Sequence, residues 1–156
     1  MSPDFYNILV HIHSVGRWVV MLLLLIAIFN SLVAGQRPFI RTDARTGLFL
    51  TISADLMLLI GLVLWYFSPL AFQAIEANGM GTVMKDSHLR FFSVEHSVGM
   101  LIAIVLIHIG KAQGKKKISD RSKHNRTLLF YFLALVIILL TIPWPFLQSG
   151  AGRGWY

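Results

Sequence analysis

The chain has 156 residues and no cysteine, with 56% hydrophobic and 13% charged residues and a mean hydropathy of +0.68; ordinary soluble domains carry about 25% charged residues. That balance points to the bilayer, and the missing cysteines exclude a disulfide framework, a thiolate metal site and a thiol nucleophile. A net charge of +7 would suggest nucleic acid in a soluble chain, but ten of the fourteen basic residues lie in two short connections between apolar runs, without interleaved aromatics.

Four apolar runs, about 8–34, 48–67, 91–109 and 128–147, reach the roughly 20 helical residues that cross about 30 Å of hydrocarbon. The segment before the first, MSPDFYN, lacks a basic n-region, so that run is expected to stay as a helix. It opens on a polar turn, HIHSVGRW, and is continuously apolar from Trp18 to Phe29. On a regular helix His11 and His13 point roughly 200° apart, whereas His13 and Arg17 share a face. The turn reads either as interfacial, with its polar groups reaching headgroups, or as half of a site.

The connection to the second run holds Arg37, Arg41 and Arg45 against Asp43. The second run carries Asp55 and ends in an aromatic belt, Trp65, Tyr66 and Phe67, ahead of Ser68 and Pro69. In the long loop 68–90 the charges nearly balance, and LAFQAIEA reads as a short helix on the membrane surface before the break at Asn78-Gly79-Met80-Gly81. The third run holds Glu95 and His96, which diverge by about 100° on a regular helix. Ionisable groups in hydrocarbon cost roughly 2.5–3.5 kcal/mol each, so they face a protein interior or a polar cavity. Seven basic residues from Lys111 to Arg126, opposed only by Asp120, separate this run from the fourth, which ends in PWPF and a Gly-rich tail expected to be loose.

Because lysine and arginine concentrate on the cytoplasmic side, the 1–2 and 3–4 connections are expected inside and both termini outside. The expected architecture is all-α: a single integral membrane domain, a four-helix up-down-up-down bundle in a bacterial inner membrane, with the first and third helices diagonal. His96 would then face His11, His13 and Arg17 across the bundle. By rise alone, however, His96 lies roughly 8 Å inward and His13 about 3 Å outward, so His88 and Met21 are alternative partners. The plainer alternative for His96 is a hydrogen bond to a neighbouring helix. A second polar set comprises Asp55, Asn30, Ser31 and His108, suited to a proton path or a quinone headgroup, with Asp55 roughly 10–12 Å from the inner boundary and His108 about 3 Å. Hydrolase, Walker, zincin and dinucleotide motifs are absent from the sequence.

At HIHSVGRW, LLIGLVLWYFSP, LRFFSVEH and IPWPF the chain resembles a family of small bacterial four-helix membrane proteins labelled cytochrome b-like. The resemblance implies a b-type haem, with His11 or His13 and His96 as ligands and Arg17 and Glu95 beside them. At Asp55 the chain departs from the family, in which a histidine is frequent. The leading expectation is a haem b electron-transfer protein working between quinol and a periplasmic acceptor. Its rivals are a copper or other metal site using His11, His13, His88 and His96, and a non-catalytic accessory subunit of a larger respiratory or transport complex.

Overall fold

The computed structural model describes residues 1–147, and every regular element in it is helical. The tail from Gln148 onward falls outside the described residues. Helix α1 spans Pro3–Leu32; it starts where Ser2 accepts a hydrogen bond from the Phe5 N–H at 3.4 Å and Pro3 takes a first-turn position that needs no donor. Helix α2 spans Arg41–Phe67, with the Asp43 carboxylate accepting from the Ile40 N–H at 3.0 Å. Both begin before their apolar runs because capping residues, which hydropathy does not register, set the start.

Three short helices follow: α3 Phe72–Asn78, α4 Met80–Lys85 and α5 Ser87–Arg90. The surface segment LAFQAIEA thus supplies most of α3, and Gly79, at φ +76, makes the break that a side chain would resist. After α5 comes a π-helical turn, Phe91–Glu95, and then α6, His96–Gln113. Together Ser87–Gln113 forms a 27-residue span. Helix α7, Asp120–Thr141, is capped by Ser119 and begins well ahead of its apolar run. It ends six residues short of that run, because Ile142 precedes Pro143 and is held extended at φ −72, ψ 136.

Four helices are therefore long and apolar enough to cross a membrane: α1, α2, Ser87–Gln113 and α7. Helix α1 packs against α2 and α7, and α6 packs against the same two, so α1 and α6 lie across the bundle from each other. The centre is built from Leu24, Leu50, Ala54, Ala103, Ile107, Tyr131 and Ala134. Its small residues allow the close helix approach on which association in lipid depends. Large apolar side chains such as Leu22, Phe29, Leu59, Leu101 and Leu140 point outward, as a hydrocarbon solvent permits.

Candidate functional site

Two prolines build one wall of the site. In α7 the carbonyls of Leu139 and Thr141 would accept from residues 143 and 145, but both are proline and carry no N–H. Side chains take the two acceptors instead. Trp144 Nε1 donates to Leu139 O at 2.8 Å, and His96 Nδ1 lies 2.7 Å from Thr141 O. A carbonyl only accepts, so Nδ1 of His96 carries a proton. The bond also fixes the ring plane, the way a carbonyl orients a metal-binding histidine.

Opposite His96 stands His13 of α1, with ring centroids 6.4 Å apart and planes at 71°. The depth mismatch expected from rise alone does not separate the two rings. Gly61 of α2 makes room for His13: a Cβ there would sit 3.2 Å from His13 Cε1. His13 Nδ1 is buried and has no hydrogen-bond partner, an exception among buried polar atoms that asks for an explanation. An ion bonded to both imidazoles at about 2.0–2.1 Å would hold the centroids roughly 6–6.5 Å apart.

The π-helical turn immediately precedes His96. There the Ser93 carbonyl accepts from Trp65 Nε1 at 2.9 Å, while Ser93 Oγ donates to Leu70 O at 3.1 Å, tying α6 to the end of α2. Phe91 is buried with its ring 6.1 Å from that of His96. Arg17 lies over the Trp18 ring at 5.0 Å, and Trp18 meets Trp144 at 6.5 Å, so the PWPF segment folds back on α1. Glu95 turns outward to Arg90, 2.6 Å away. His11 is exposed on α1, and His88 contacts Phe92 near the start of the third span. Met21 is a core residue among Val20, Leu24 and their neighbours. Among the described residues no group of three or more His, Cys, Asp or Glu is placed to share a metal ion.

The second polar set divides. His108 Nε2 and Asp55 Oδ1 meet at 2.8 Å despite their different heights. Helical side chains lean toward the N-terminus, so on helices of opposite sense the two lean toward each other. Asn30 and Ser31 instead line a cavity of about 20 Å³ near the basic connections, room for about one water molecule, with Asp43, Lys111, Thr127 and Tyr131. Arg37 grips Asp43 through two 2.7 Å bonds, and these hydrogen bonds push the guanidinium further into its charged range.

Sequence reasoning missed His124. It is 1% exposed, faces Phe39 at 5.1 Å, and neither ring nitrogen has a partner. In the sequence it stands beside Lys123 among the basic residues between the third and fourth runs. The available signal was its register: His124, Thr127, Tyr131, Ala134 and Ile138 form one buried stripe at spacings of three and four.

Comparison with protein-family models, curated proteins and solved structures gives no match for the chain.

Proposed function

We propose that the protein is a b-type haem carrier of a bacterial inner membrane, moving single electrons from quinol toward a periplasmic acceptor. One observation carries this reading: two inward-facing imidazoles whose ring centroids lie 6.4 Å apart, one of them hydrogen bonded through Nδ1 to a backbone carbonyl. Two ligands suit a metal whose remaining positions come from a macrocycle. The copper reading has less support, because among the described residues no third His, Cys, Asp or Glu is grouped with His13 and His96.

In this reading His13 and His96 would hold the haem iron, and neutral imidazoles would add no charge to hydrocarbon. The haem, when bound, supplies the one-electron chemistry. Thr141 O keeps the His96 ring oriented. Arg17, one turn from His13, offers its guanidinium to a propionate, and Phe91 screens His96 from water.

The up-down-up-down arrangement with periplasmic termini belongs to the same proposal. It is supported by the contacts Trp65–Ser93 and Asp55–His108, in which one helix descends in number as the other rises, and by the basic connections.

The test is a reduced-minus-oxidised spectrum of protein purified in detergent, with a haemin titration of any apo fraction. We expect an α band, or stoichiometric haemin uptake, that His13→Ala and His96→Ala each abolish. Protein that shows neither band nor uptake overturns the proposal.

A further inference from the structure

Gly99 lies one helical turn after His96 in α6, on the same face, and both residues meet Thr141, the last residue of α7. The Thr141 carbonyl lies 2.7 Å from His96 Nδ1, and the Thr141 side chain fills the notch that Gly99 leaves. A Cβ on Gly99 would collide with Thr141 Cγ2 and stand 3.1 Å from both Cβ and Oγ1. Glycine in the middle of a helix is destabilising relative to alanine, so a buried one in α6 calls for a packing reason.

Thr141 has little freedom to adjust. Its Oγ1 donates to Ile137 O at 2.8 Å, and the β-branch then holds Cγ2 toward Gly99. Beyond it Ile142 is extended ahead of Pro143, so α7 has no further turn with which to remake the contact. Helix α6 therefore grips one residue at two points, its methyl at Gly99 and its carbonyl at His96. The two points are coupled. A methyl added at position 99 meets a fixed Cγ2 and then a Cβ one bond from the main chain, so it would drive the end of α7 outward and stretch the bond to His96.

We propose that Gly99 is a positioning residue for His96: by admitting the Thr141 side chain, it sets the distance at which the Thr141 carbonyl holds the His96 ring. Its consequence for haem binding rests on the haem reading, whereas its effect on the hydrogen bond does not.

The test is NMR of the full chain in detergent with isotopically labelled histidine, together with a haemin titration. In the haem-free wild type, His96 Nδ1 should give the signal of an N–H held in a hydrogen bond. Gly99→Ala should remove that signal and weaken haemin binding by about 10–100-fold. The double variant Gly99→Ala/Thr141→Ala should recover much of both, because Cγ2 and Oγ1 leave the collision. Gly110→Ala, packed against Tyr131 on the same two helices, is the control for loosened packing: it should lower the thermal midpoint and leave the His96 nitrogens unmoved. Where Gly99→Ala alone does not fold, Thr141→Ser takes its place, since it removes only the methyl from the notch; its His96 Nδ1 proton should exchange with water several-fold faster than in the wild type. Unmoved His96 nitrogens in folded Gly99→Ala, unchanged exchange in Thr141→Ser, a double variant no better than the single, or an equal displacement in Gly110→Ala would overturn the proposal. A wild type that takes up no haemin while its His96 Nδ1 responds as described would overturn the haem reading and leave the positioning role of Gly99 standing.

Discussion

Pro143 and Pro145 act through what they lack. An ordinary helix end leaves carbonyls to water or to a cap. Here the two missing N–H groups, spaced two residues apart, hand two carbonyls to side chains: Leu139 O to Trp144 and Thr141 O to His96. Replacing both prolines by alanine should let α7 continue and draw Thr141 O back into the helix ladder. We expect Pro143→Ala/Pro145→Ala to lose the Nδ1–H preference of His96, read as its ring nitrogen shifts by NMR. Haemin affinity should fall by about 10–100-fold, the usual consequence of removing a ligand's orienting partner. Unchanged nitrogen shifts would show that something other than the freed carbonyl fixes the ring.

Among the helices, α7 fits closely against α2 and α6. Tyr131 is buried, and its ring occupies the space that a side chain on Gly110 would fill, with its hydroxyl against Gly47. Thr127 adds a bond to Gly110 O at 3.2 Å. A Cβ at Gly110 would collide with ring carbons rather than with the end of a flexible chain. Gly110→Ala should therefore destabilise by about 1–3 kcal/mol. Part of that should return in Gly110→Ala/Tyr131→Leu, since the two sites share one contact. Thermal midpoints in detergent measure both. A single mutant as stable as the parent would mean that the three helices separate easily.

For the molecule as a whole, charge sets orientation. Arg37, Arg41 and Arg45 and the seven basic residues from Lys111 to Arg126 gather at the 1–2 and 3–4 connections, while the segment 68–90 is nearly balanced. In intact cells a membrane-impermeant maleimide should label Glu76→Cys in α3 and leave Lys116→Cys unlabelled until the membrane is opened. The reverse pattern would invert the topology and place the His13–His96 pair toward the cytoplasm.

The number of spans, their membrane character and His96 as an unusual residue in hydrocarbon were legible in the linear chain, because a 20-residue apolar run and a charge within it have a cost that no fold removes. Helix ends were less legible: caps at Ser2 and Ser119 and the stop before Pro143 shift them without changing hydropathy. Which histidine meets His96 was open between His11, His13 and His88, and tertiary packing alone placed the His13 ring beside it, against Gly61. The grouping of Asp55 with His108 and of Asn30 with the inner cavity was likewise decided in three dimensions. The reason is common to all three: sequence spacing fixes where a side chain points around its own helix, whereas tilt, stagger and the neighbour opposite depend on how the helices pack.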